Sequence, residues 1–226
     1  MAIDRHHAFA NGQVFPKPFL RKNKLREIFM ILRNLPLSLE SIQIWRQFSK
    51  YTVTSDDLLL GSKAWCVNSR LEPYRIQLEG RVVCKGLLRI EEFGNGKIIV
   101  HPEVYIGDDC LLSCADMIEI GSYTLIAHGV QIFDNDSHPL DWRGRQKDWH
   151  TIMDGLAIPR EAIATSPIHI GQNVWIGLNS IILKGINIGD NSIIAAGSVI
   201  TNDIPAGVIA GGNPARVIRK ITEIEE

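Results

Sequence analysis

The chain has 226 residues, 45% of them hydrophobic, 22% charged and 7% aromatic, with a net charge of −1 at neutral pH. That composition supports one large globular core with an appendage, and it lacks the basic surplus by which proteins usually bind nucleic acid. No run approaches the ~20 apolar residues of a membrane-spanning helix, and no apolar stretch of signal-peptide length opens the chain. Cys66, Cys84, Cys110 and Cys114 therefore read as reduced thiols of a cytoplasmic protein.

Residues 1–50 carry nine Lys or Arg against three Asp or Glu, leaving 15 against 22 in the remainder. Lys24 to Tyr51 reads as helical, with Leu25, Ile28, Phe29 and Leu32 at i, i+3, i+4 and i+7 and a break near Pro36. Such a helix suits the open end of a stacked fold, where the last coil needs a cap. A basic amphipathic segment also suits peripheral membrane contact.

From residue 100 a period of six appears, first loosely as VHPEVY, IGDDCL and LSCADM, then IGSYTL and IAHGVQ, with the phase slipping by two at Ile118. From residue 170 it becomes strict: Ile170, Ile176, Ile182, Ile188, Ile194 and Ile200 share one phase. Val174, Ser180, Ile186, Ser192, Ser198 and Ile204 follow four positions later. A six-residue interval fits neither a 3.6 nor a 3.5 period, so an amphipathic helix is excluded. Residues four apart on an extended stretch share a face, and Gly or Asn between them tolerates the positive φ of a corner. Each hexad is thus a short strand and a turn, stacked into a prism with the aliphatic face inward. Cys110 falls at a small inward position and fills core. Cys110 and Cys114 have three residues between them, which does not match the two-residue gap of zinc or redox pairs, and no metal is expected.

Between Phe133 and Ile168 the period vanishes. The stretch 134–167 holds His138 and His150, several carboxylates, three arginines, Trp142 and Trp149. An excursion of that length inside a compact domain is usually functional or disordered, and this composition is not that of a linker. Beyond the last hexad, NPARVIRKITEIEE reads as a short helix started by Asn213 and Pro214. The organisation expected is a basic, partly helical segment 1–75, a parallel β-helix 76–208 broken by the extruded loop 134–167, and a helical tail 209–226.

The VWIG of 174–177, IGDNSIIAAGSVITNDIP of 188–205, GGNPARVIRK of 211–220 and SHPLD of 137–141 together resemble the hexapeptide-repeat acyltransferases, over about residues 100–220. Within that family the chain is most similar to the sugar and polysaccharide O-acetyltransferases of maltose and galactoside type. The resemblance implies a mainly β chain, a left-handed parallel β-helix that works as a homotrimer with sites between subunits. It further implies a carbohydrate acceptor, and acetyl-CoA as co-substrate with no permanently bound cofactor. His138 becomes the general base, suited by an unperturbed pKa of about 6.5, with Asp136 or Asp141 orienting its ring. Trp175, Leu178, Ala196 and Thr201 would line the pantetheine arm, a backbone amide near Gly177 and Leu178 would face the oxyanion, and Arg216 and Arg219 would meet the nucleotide phosphates. Ser113 stands where family members place an acceptor-holding Asn, and Trp142 suits stacking on a sugar.

Other functions fit the same repeat. A γ-type carbonic anhydrase needs three equivalent histidines, and His101, His128, His138 and His169 sit in unlike contexts; apart from His138, these and His150 read as hydrogen-bonded corner residues. A bare scaffold would not need the loop. An amine acceptor, as in nucleotide-sugar N-acetyltransferases, stays open on the sequence alone.

Overall fold

A computed structural model describes residues 39–155 and 163–221. The basic stretch before residue 39, including the Leu25 to Leu32 pattern, and the last five residues lie outside it. The described part of the expected N-terminal helix is α1, Leu39–Tyr51. It buries Ile44 and Phe48 against the first coil, and Gln47 Nε2 donates to Cys66 O at 2.7 Å. This is the expected cap on the open end of the stack.

The remainder winds through three parallel sheets in turn, forming a three-sided β-helix. The first face stacks Val53–Thr54, Ile76–Leu78, Lys97–Val100, Met117–Ile120, Ile168–Ile170 and Asn187–Ile188. The second carries, among others, Val104–Ile106, Leu125–Ile126, Trp175–Ile176, Ile193–Ile194 and Val208–Gly212; the third includes Leu111–Cys114, Gln131–Phe133, Ile181–Ile182 and Val199–Ile200. In the strict region Ile176 pairs with Ile194 and Ile182 with Ile200, 18 positions on, so three hexads make one turn. All twelve inward positions of the strict run, from Ile170 to Ile204, are 5% exposed or less. The inward serines are satisfied within the wall: Ser180 Oγ donates to Gly177 O at 2.8 Å and Ser198 Oγ to Ala195 O at 2.6 Å. Asn173, Asn179 and Asn191 hold corners at φ of 54–59°, the left-handed conformation that Asn tolerates. Cys110 is buried as core, as its phase indicated.

Three expectations need correction. The coils begin at Val53, well before residue 76. Their partners are further apart, with Ile76 opposite Ile98 and Leu88 opposite Leu112, so extra corner residues hide the hexad. The C-terminal tail is a strand: Ala215–Lys220 runs antiparallel to Val208–Gly212, because an open sheet edge offers its backbone a ladder and β-branched Val217 and Ile218 suit it. Finally, the excursion contains a helix, α2, Trp142–Met153. Among the described residues no helix is long and apolar enough to cross a membrane.

Candidate functional site

The excursion leaves the third face after Phe133, and its neck is fastened to the wall. Asp134 is fully buried, and its carboxylate accepts from Ala115 N at 2.7 Å and Asp116 N at 2.8 Å. Asn135, 6% exposed, donates from Nδ2 to Ser113 O at 3.2 Å and accepts at Oδ1 from Ser137 N at 3.0 Å. The outgoing and returning strands close on each other through an antiparallel Asn135–Thr165 bridge, with Ser166 N on Asp134 O and Asp136 N on Ala164 O. Ser137 then turns at φ 59°, and His138 N donates back to Asp136 O at 2.6 Å. This tight three-residue turn fixes the backbone from which the His138 side chain leaves the neck.

Beyond Pro139, Asp141 caps α2 by accepting from Gly144 N at 2.8 Å. Two turns along, α2 presents Asp148, whose side chain is 5% exposed, with Oδ2 2.6 Å from His138 Nδ1. The imidazole itself is half exposed. A carboxylate on Nδ1 holds the tautomer whose Nε2 carries the lone pair, and it stabilises the imidazolium once Nε2 takes a proton. The partner of His138 is thus Asp148, whereas Asp141 is a helix cap and Asp136 pairs with Lys184 Nζ at 2.7 Å. Asp148 is visible only once α2 is known to fold back over His138; the sequence gives it no closer spacing than ten residues.

The other candidate residues are dispersed. Ser113 is 1% exposed and donates to Glu91 at 2.6 Å, so it braces the neck from beneath and is no surface contact for an acceptor. Trp142 stands 57% exposed on the first turn of α2, with Arg143 stacked 4.4 Å from its ring. Trp175 lies exposed on the second face, with Leu178 and Ala196 exposed at the corner leading to the third. Gly177 is buried between them. Its amide is committed to Ile194 O at 2.8 Å, and a Cβ there would meet Ala196 N at 2.6 Å, so tight coil packing accounts for this glycine. Thr201 is at the following corner, on the same edge as the neck of the excursion. Arg216 and Arg219 are exposed on the final strand.

A second polar cluster went unnoticed in the sequence. On the first face, His101 bridges Glu79 at 2.9 Å and Glu119 at 2.9 Å, and Glu119 also meets His169 Nδ1 at 3.2 Å. These side chains stand on successive coils, and His101, Glu119 and His169 border a cavity of about 590 Å³ with Asn187 and Asp203. The Glu119 carboxylate, then that of Glu79, raises the His101 pKa against the opposing effect of burial. His101, followed by His169, holds the Glu119 carboxyl below its usual range. Among the described residues no group of three or more His, Cys, Asp or Glu could hold a metal ion.

Comparison with known proteins agrees with this architecture. Residues 167–202 match the family model described as the hexapeptide repeat of succinyl-transferase. A putative acetyltransferase of Saccharomyces cerevisiae is 42% identical over 125 residues, covering 53% of this chain and 57% of that one. The galactoside O-acetyltransferase of Escherichia coli is 58% identical over 57 residues, 25% of this chain and 28% of that one. The chain spans about half the length, or less, of the curated relatives it matches. Among solved structures, a mutant of the N-acyltransferase AntD from Bacillus cereus, in complex with dTDP and coenzyme A, superimposes with a TM-score of 0.60. It shares 19% identity and covers 80% of this chain and 89% of that one. The chain is a parallel β-helix of hexapeptide repeats, related in sequence to proteins named as acetyltransferases.

Proposed function

We propose that this chain transfers an acetyl group from acetyl-CoA to a hydroxyl of a sugar or polysaccharide, with His138 as general base. The observation that carries the reading is the His138–Asp148 pair, set on a fastened neck where the repeat is interrupted. His138 Nε2 takes the acceptor's hydroxyl proton as that oxygen bonds to the thioester carbonyl carbon. The tetrahedral intermediate then collapses, the carbon–sulfur bond breaks, and the leaving thiolate takes the proton from the imidazolium to give free CoA. Transfer is direct, within one ternary complex, and Asp148 stabilises the imidazolium between the two proton transfers.

Trp175 and Leu178 face a different side of the prism from the neck that bears His138. A site uniting them needs a second prism, which supports a homotrimer with its sites between subunits and with CoA lying along the groove. Trp175, Leu178, Ala196 and Thr201 remain the residues proposed for the pantetheine arm, Arg216 and Arg219 for the phosphates, and Trp142 for the sugar face. Transfer to an amine of a nucleotide sugar is the second reading. It is favoured by the fold shared with an N-acyltransferase that binds dTDP and coenzyme A.

The test is a panel of glycans and nucleotide sugars with acetyl-CoA, following thiol release. The proposal expects release only when an acceptor is present, and a product that mild alkali deacetylates as an ester. An alkali-resistant amide would establish the second reading. A chain that binds no acetyl-CoA at millimolar concentration would be a scaffold.

A further inference from the structure

At the excursion's neck an ion pair among the described residues crosses the interruption. Asp136 lies on the outgoing strand, and Lys184 lies at the corner of the coil that follows the return. Asp136 Oδ1 is 2.7 Å from Lys184 Nζ, and the two side chains are 18% and 31% exposed. The other carboxylate oxygen, Oδ2, is out of solvent and has no hydrogen-bond partner among the described residues. A carboxylate so placed depends on its cation, because a buried charge without a partner is costly and the chain rearranges to hydrate it. Lys184 is in turn fixed by its neighbour: Gly185 N donates to Ser166 O at 3.0 Å, and Ser166 N donates to Asp134 O at 2.8 Å. The carbonyl of Asp136 is the acceptor for His138 N. The position of Asp136 therefore sets where the backbone of His138 begins.

We propose that Lys184, acting through Asp136, is a positioning residue that fixes the His138 imidazole over the site. This rests on the reading of His138 as the base. Lys184 lies on the same edge of the prism as the neck, so direct contact with a phosphate or an anionic acceptor is the competing role, and the two roles differ in what they change. A positioning role acts on turnover and is shared with Asp136. A ligand contact acts on substrate affinity and belongs to Lys184 alone.

The experiment is a double-mutant cycle in the full chain with Lys184→Met, Asp136→Asn and both together, measured with a competent acceptor. Each single variant is expected to lower kcat about tenfold to a hundredfold, as a displaced catalytic group does. KM for acetyl-CoA should stay within about threefold, and the double variant should be no worse than the poorer single one, since the two residues act as a unit. The imidazole NMR signals of His138, assigned by their loss in His138→Ala, should shift alike in both single variants. Lys184→Arg keeps the charge and should restore most of the turnover even if Lys184→Met folds poorly. The inference is overturned if both single variants keep kcat within about threefold, if Lys184→Met alone raises a KM, or if the two effects add. Should His138→Ala keep its turnover, the base assignment falls separately, and the ring signals still decide whether Lys184 sets the ring's position.

Discussion

Replacing Glu119 by Gln removes the carboxylate shared by His101 and His169, and with it the charged link between the coil before the excursion and the coil after it. The pairs are 34–40% exposed, so solvent screens them and each is worth only a few tenths to about 1 kcal/mol; together they are worth about 1 kcal/mol. In a chain of this length that lowers the melting temperature by about 2–4 °C. The sign depends on pH. The folded pKa of His101 is raised above 6.5, so its contribution is complete below 6.5 and is lost as pH rises through the raised value. That of Glu119 is lowered below 4.5, so its contribution is present above 4.5 and is lost as pH falls through the lowered value. The difference between parent and Glu119→Gln should therefore be greatest between about pH 4.5 and 6.5 and shrink toward pH 9. Glu79 remains as a partner for His101, which keeps the loss from being complete. Thermal melts followed by circular dichroism at pH 5.5 and 9 measure it. An equal difference at both pH values, or a variant more stable at pH 5.5, would refute the reasoning.

Asp148→Asn keeps the size of the side chain but loses the charge that stabilises the imidazolium. It should lower kcat by about 10²-fold or more with KM for acetyl-CoA little changed, and unchanged turnover would remove Asp148 from the mechanism. Ile176 is fully buried, in register with Ile126 and Ile194, so Ile176→Ala should cost about 2–5 kcal/mol in urea unfolding. A loss under about 0.5 kcal/mol would mean a loosely packed prism. Burial pushes the thiols of Cys66 and Cys84 up to about 12 and that of Cys110 to about 11. Aromatic disulfide reagents should therefore leave native protein unlabelled and titrate all four cysteines in denaturant. Rapid labelling of a folded sample would contradict the burial.

What the sequence disclosed follows from how strictly each coil is built. Where a turn is three plain hexads, the Ile phase and the small inward residue four positions on are forced by the prism, and Ile170 to Ile204 could be read directly. Where corners lengthen, as between Ile76 and Ile98, the same inward face recurs without a fixed interval, and the coils from Val53 escaped notice. The interruption drew attention to the excursion and to His138 within it, but not to the ring's partner. The large apolar residues of α2, Trp142, Trp149, Ile152 and Met153, share an exposed face, so no buried stripe in the sequence brings Asp148 back to His138. Asp136 and Asp141 stood nearer in sequence, yet an ion pair with Lys184 and a helix cap claim their carboxylates. The C-terminal strand was missed for a related reason, since its partner is an edge that exists only after the stack has formed.

The most direct measurement is the turnover of His138→Ala with acetyl-CoA and a competent acceptor, alongside a melt to confirm that the prism is intact. A general base contributes typically 10²–10⁴ to the rate, so turnover should fall by at least about a hundredfold while acetyl-CoA still binds. Turnover within about tenfold of the parent would contradict the assignment of His138 as the base.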